Sequence, residues 1–537
     1  MTRTSKIEEL QHALPMAEEI KIVKTTIILF VLAVLTRIFQ ILFLPLVAAI
    51  FGTSGEFESF IIAFSISTMF GSILLSGFGT VFIPTFTECK LRNGEESGLN
   101  FASSFINLVL VSYIFIVIIG ITFAPWLVSI FAPGIAPIFK HLGARLTQIL
   151  FIASFFVTLT AIITAVLYSY RSFIIPSIAA LCGTVALLAS IIAIKDGIGI
   201  YVLPVALILS GIISFLILLV SIAKINFRFR FTVNLRHPAI REAGAMLFSV
   251  SFVGILGQLI MIANRFFASF LPEGSIATME YANRLVSMVI EFFALSLIIP
   301  LYQRMSAESA LNEGDKIRTS FSLGMKMTAI ILLPLTAFLI FLRVPIFTLL
   351  LEYGKFTPQN TLEVSSVFLY LSLAMIGSGF GQIIVNTFYA IKRMKAVVIL
   401  SLGGVMLNIL LDAALFKPMG LEGLALATGI AAILGAAISI GVLRRALGGV
   451  DGFYLSKFIL KTSLAAIVSS GSGWFLFNAI DNLTAVDFTG QIMKLGVSAI
   501  TCATTYVLLM SFLRMGEINF VLNIIKERLK IARTNSV

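Results

Sequence analysis

Arg37, Arg284 and Asp412 stand inside long apolar segments, and Asn408 lies one helical turn before Asp412. A charge at bilayer depth is costly, so such residues mark ion or substrate paths. An arginine fork can grip a phosphate through two donors, or it can form a buried ion pair that only fixes helix packing. Arg37 falls midway along the first apolar segment, in Leu35-Thr36-Arg37-Ile38. Glu280, Arg284 and Glu291 share one face of the eighth, being four and seven positions apart. Arg284 there either pairs with Glu280 or looks into an interior cavity opposite Arg37, where two arginines would suit a diphosphate. Asn408 and Asp412 share a face, and Thr428 follows in the next segment. One carboxylate with neutral oxygens can hold a hard monovalent cation, or it can hydrogen-bond helices together.

The elements that carry these residues are membrane spans. Hydrophobic residues make up 59% of the 537 and charged residues 12%, about half the charge of a soluble domain. Ten-residue stretches of alternating polarity are missing, so a β-barrel is not expected. The fold class is an all-α polytopic membrane protein with about fourteen apolar runs, each of roughly 20 residues or more. The first run, residues 25–51, follows a polar, mixed-charge stretch and reads as a retained span rather than a cleaved leader.

Lys326, Arg343, Lys461 and Lys494 fall where they can snorkel to an interface and serve as anchors. The three cysteines (Cys89, Cys182, Cys502) are scattered and give no disulfide framework. There is no Walker A loop, HExxH, GxSxG or CxxC pair, so transport rather than catalysis is expected. The net charge of +12 follows from the positive-inside rule, and no nucleic-acid partner is implied. The basic connections (Lys90/Arg92, Arg171, Lys224–Arg241, Lys316/Arg318, Lys392/Arg393, Arg444/Arg445) alternate with poorer ones. Both termini are therefore expected in the cytoplasm.

The chain also repeats itself. Val166-Leu-Tyr168-Ser-Tyr-Arg171 recurs 221 positions on as Thr387-Phe-Tyr389-Ala-Ile-Lys392. Phe82-Ile-Pro84 recurs as Ile298-Ile-Pro300. Six spans per copy give two parallel six-helix lobes around a central cavity, plus two extra C-terminal helices. The expected divisions are a cytoplasmic segment 1–24, a first lobe 25–223, a basic linker 224–242, a second lobe 243–446, spans 13 and 14 within 447–513, and an amphipathic cytoplasmic tail 514–537.

Leu271-Pro-Glu-Gly-Ser275, Tyr281-Ala-Asn-Arg-Leu285, Gly423-Leu-Ala-Leu-Ala-Thr428 and Ala48-Ala-Ile-Phe-Gly52, in this order and spacing around Arg37, resemble the MurJ/MviN lipid II flippases of the MOP exporter superfamily. The resemblance runs from about residue 30 to 450. It implies a flippase of the bacterial inner membrane that moves an undecaprenyl-diphosphate-linked saccharide, lipid II foremost, outward by alternating access. It places Arg37, Arg284 and Glu58 against the substrate. It also implies a Na+ site at Asn408, Asp412, Thr428 and Asn264, no other cofactor, and a lipid-tail groove at spans 13 and 14. Lipid II, membrane lipids and cell-wall synthesis enzymes are the implied partners. The chain departs from the family pattern at Phe43, Gly71 and Ser72, where basic residues are the rule, and at Asn264, where an aspartate is. Three alternatives therefore stand beside lipid II. They are an O-antigen or exopolysaccharide lipid flippase, a cation-coupled drug exporter, and a non-transporting scaffold for wall synthesis.

Overall fold

The computed structural model describes residues 3–77, 81–225, 227, 229–232, 238–449, 452–481, 488–513 and 515, and among these it is helical with no strand. The expected tail at 514–537 falls almost wholly outside the described residues. The chain divides into two compact units, Met1–Gly274 and Ser275–Val537.

The first unit runs α1 (Arg3–Phe51), α2 (Gly55–Gly77), α3 (Ile83–Asn93), α4 (Glu95–Thr122), α5 (Ala124–Phe131), α6 (Pro137–Ser169), α7 (Ile174–Ile198), α8 (Val202–Ile222) and α9 (Pro238–Ala268). Here α6 packs on α2 and α8, α7 and α8 form an antiparallel pair, α1 lies on α7, and α9 lies on α2. An aromatic stack of Phe82, Phe86, Phe101 and Phe105 joins the start of α3 to α4, with ring centroids 5.6 Å apart for Phe82–Phe105 and 5.8 Å for Phe82–Phe86. The second unit runs α10 (Ser275–Phe293), α11 (Ile299–Ala310), α12 (Gly314–Phe341), α13 (Arg343–Leu351), α14 (Pro358–Ala390), α15 (Met394–Ala446), α16 (Gly452–Asp481) and α17 (Phe488–Phe512). Its core gathers Phe321, Met325, Leu332, Ile383 and Phe388 between α12 and α14.

Ten helices among the described residues are long and apolar enough to cross a membrane, against the fourteen spans expected. Two of the ten carry a reversal. Ile174–Ile222 turns back at Gly199–Tyr201, and Met394–Ala446 turns back at Gly420. The expected second and seventh spans, at α2 and α9, are not among the ten, and α9 contributes only the shorter apolar stretch Gly254–Ala268.

The reversal inside α15 is made by one residue. Gly420 has φ 59° and ψ −131°, a region that side chains with a Cβ avoid. In a straight helix Asn408 and Thr428 would lie about 30 Å apart. Instead the Asn408 amide donates to the Thr428 hydroxyl at 3.4 Å. A Cβ at Gly420 would meet nothing within 4 Å, so its cost is purely backbone strain. Gly420→Ala is expected to destabilise the chain by about 1–3 kcal/mol. Gly435→Ala, equally free of contacts and without a positive φ, should be neutral or slightly stabilising. Thermal unfolding of the two variants in one detergent checks this.

Both sequence repeats have a backbone cause. Arg171 and Lys392 take left-handed conformations, φ 59° and 58°. Each closes its helix through the same bond five residues back, Ser172 N–H to Leu167 O and Arg393 N–H to Phe388 O, both 2.9 Å. That is a Schellman turn with a cation where glycine is usual, and the cation complements the helix C-terminus. Upstream of the paired prolines, Val81–Phe82 and Ala294–Ile298 are both π-helical, a bulge often found where a helix bends.

The anchor assignment of Lys494 is overturned. Its side chain is 3% exposed, on a face of α17 shared with buried Ser498 and Cys502 and facing Ser469 and Ser470 of α16. Small polar residues let these two helices approach closely. A Cβ at Gly473 would already lie 2.9 Å from Ser498 O. Lys326 sits over two rings, Tyr454 at 4.5 Å and Phe458 at 5.7 Å, and so ties α12 to α16 by cation–π attraction.

Candidate functional site

Arg37 is half-buried on α1, and its guanidinium donates to Gln40 Oε1 at 3.2 Å, one turn on. Most apolar side chains of this part of α1 are exposed, among them Phe30, Val34, Ile38 and Leu42. The arginine therefore lies on the less exposed side of a sparsely covered helix. Glu58 is buried in the first turn of α2, where the helix N-terminus favours a carboxylate. Asn264 is half-buried near the end of α9, next to buried Arg265.

The same unit holds a contact that spacing alone does not reveal. Glu273, in the turn after α9, accepts the Gly55 N–H at 2.7 Å. It thereby satisfies one of the unpaired donors that open α2. A Cβ on Gly55 would fall 2.3 Å from the Phe139 ring and 2.8 Å from that carboxylate, so any other residue there would displace one or both side chains. Close by in sequence, the Ser269 hydroxyl accepts the Gly134 N–H at 3.0 Å. The only signal in the sequence is the Leu271-Pro-Glu-Gly-Ser275 motif itself, which names Glu273 but not its partner 218 positions away.

In the second unit Arg284 is half-buried on α10, which packs against α14. It makes no hydrogen bond or ion pair with any described residue, so the pairing with Glu280 left open by the spacing does not form. A single guanidinium in this setting is costly, and it has five donors to offer an anion.

The second unit also brings Asn408, Asp412 and Thr428 together across the α15 reversal. Asp412 is fully buried and Asn408 is 1% exposed. Both Asp412 carboxylate oxygens and Asn408 Oδ1 are buried without a hydrogen-bond donor, while the Asn408 amide is engaged by Thr428. The Thr428 hydroxyl in turn donates to Leu424 O at 3.0 Å. Oxygens of this kind, with one formal negative charge, fit a monovalent hard cation. They fit a protein-only hydrogen-bond pair poorly, because an unsatisfied buried acceptor is expensive. The implied fourth ligand, Asn264, belongs to the other unit.

Comparison with known proteins adds identity to this geometry. The family model "Lipid II flippase MurJ" matches residues 47–493. The lipid II flippase MurJ of Burkholderia cenocepacia is 24% identical over 443 residues, covering 81% of this chain and 86% of that protein. The probable lipid II flippase MurJ of Aquifex aeolicus is 26% identical over 383 residues, covering 68% and 72%. Among solved structures, MurJ in an inward closed conformation superposes with TM-score 0.74 at 22% identity, over 91% of this chain and 99% of that one. An inward-facing multidrug resistance MATE transporter of the MOP superfamily superposes with TM-score 0.66 at 18% identity, over 78% and 96%.

Proposed function

The chain belongs to the MurJ family, and from that premise we infer that it is a lipid II flippase of the bacterial inner membrane. It is a multi-pass transporter and not an enzyme. The family match over residues 47–493 carries this reading. The fold by itself does not, since MATE transporters share it. The matched family is described by lipid II, which the O-antigen, drug-export and scaffold alternatives do not involve.

The site residues extend the proposal. Arg37 and Arg284 bind the diphosphate, and Glu58 contacts the headgroup. The prenyl tail stays in lipid beside α16 and α17, and the headgroup crosses by alternating access. Both termini lie in the cytoplasm, in keeping with the basic connections. Asp412, Asn408 and Thr428 hold a Na+ ion, with Asn264 as the fourth candidate ligand. When bound, the ion supplies the positive charge that this carboxylate lacks. The buried Asp412 oxygens support this assignment. Wall-synthesis enzymes are the candidate protein partners.

Complementation tests the substrate. The chain is expressed in a bacterium whose own lipid II flippase can be switched off, and growth and outer-leaflet lipid II are followed. Rescue is the expected result, and it would show that the basic residues replaced by Phe43, Gly71 and Ser72 are dispensable. Failure of a membrane-folded protein to rescue would remove lipid II as the substrate.

A further inference from the structure

The linker after α8 is tied down in an unusual way. Its sequence alternates Phe227-Arg-Phe229-Arg-Phe231. The described residues 227 and 229–232 lie against α4. The Asn107 amide donates to Arg230 O at 2.9 Å and to Thr232 O at 3.0 Å. Arg230 N–H donates to the Ser103 hydroxyl at 3.2 Å, and its guanidinium reaches Glu96 at 3.3 Å and Asn100 at 3.4 Å. The Phe227 ring meets Tyr170 edge-on at 6.4 Å. The segment is a strap held at both ends of its described length.

What the strap presents outward is apolar. Phe229 and Phe231 pack edge to face at 5.0 Å, yet they are 38% and 91% exposed. Their level relative to the bilayer can be read from α4. Residues 101–107 of α4 are all buried in protein. From Val111 on, Phe115, Ile118 and Ile119 are exposed apolar side chains, the mark of a lipid-facing surface. Asn107 is four residues before Val111, about 6 Å along the helix. The strap also starts only five residues after α8 ends at Ile222. The exposed rings therefore sit where the unit enters the membrane, beside exposed Lys224 and Arg230.

We propose that this strap is a membrane-surface anchor for anionic phospholipids, with Phe229 and Phe231 inserted at the headgroup–acyl boundary and the exposed Lys224 and Arg230 beside the phosphates. Aromatic insertion combined with basic residues is how interfacial segments bind, and an anionic surface attracts juxtamembrane cations. The asparagine clamp from α4 pre-orders the segment, so little chain entropy is lost when it meets lipid.

The experiment uses the full chain with Trp126→Phe, Trp474→Phe and Phe231→Trp. It is placed in nanodiscs of phosphatidylcholine alone or with phosphatidylglycerol. Phe231 is exposed, so tryptophan there does not disturb packing. The expected result is blue-shifted emission, quenched by lipids brominated near the headgroup and protected from acrylamide, with the lipid quenching stronger when phosphatidylglycerol is present. Acrylamide quenching in both discs would overturn the proposal. So would protection from both quenchers, which would mean that another part of the chain covers the ring. Equal lipid quenching in the two discs would overturn the anionic preference.

Discussion

Arg284→Ala is expected to abolish flipping while leaving the protein folded. The side chain is half-buried on α10 and touches no acid among the described residues, although Glu280 and Glu291 share its helix face. Removing it therefore strands no buried partner, and the usual large stability penalty of breaking a buried pair does not arise. A transmembrane arginine without a partner costs the free protein energy, so truncation should leave thermal stability unchanged or slightly raised. Binding is different. A desolvated charge contact with a ligand phosphate is worth roughly 2–4 kcal/mol, about 30-fold to nearly 1,000-fold in transport. Arg284→Lys keeps the charge but loses the fork, and should recover part of the activity. The measurement is outer-leaflet lipid II in the flippase-depleted host, read beside the melting temperature of each purified variant. Full activity in Arg284→Ala would remove Arg284 from the substrate site. Lost activity together with a collapsed melting temperature would make it a packing residue instead.

How much of this was legible in the sequence depends on the range of the interaction. The all-helical, membrane-spanning class was, because burying or lipid-facing an apolar run needs only local composition, but the count of fourteen was not reproduced among the described residues, where ten helices qualify. The Asn408–Asp412 pair was legible as residue types, since the two share a helix face through spacing alone. That Thr428 joins them depends on Gly420 turning the chain back, and the sequence offered only a glycine after Pro418 as a sign. The Arg171 and Lys392 turns appeared as a repeated motif, but their left-handed backbone was invisible because neither residue is glycine. The burial of Lys494 comes from tertiary packing that no local pattern on α17 specifies. Glu273 on Gly55 and Asn107 on the linker bridge 218 and 123 positions, and single-sequence periodicity carries no information at that distance.

The two readings of the Asp412 group separate cleanly in a stability experiment, because only one of them predicts a response to Na+. If Asp412 holds a monovalent cation, the wild type in cation-free buffer carries a buried carboxylate with no donors, and Asp412→Asn should be as stable or more so. Adding Na+ should then stabilise the wild type by RT ln(1 + [Na+]/Kd), about 2.7 kcal/mol at a hundredfold excess over Kd, while the variant does not respond. If the group only hydrogen-bonds the two arms of α15, neither protein responds to Na+, and Asp412→Asn changes stability equally in both buffers. Thr428→Val probes the same geometry from the other arm. It removes the acceptor of the Asn408 amide, so under the cation reading it weakens the Na+ response without erasing it, because the carboxylate remains. The deciding comparison is thermal unfolding in choline against sodium buffer for the wild type and both variants. A Na+ response that survives in Asp412→Asn would place the cation elsewhere in the protein.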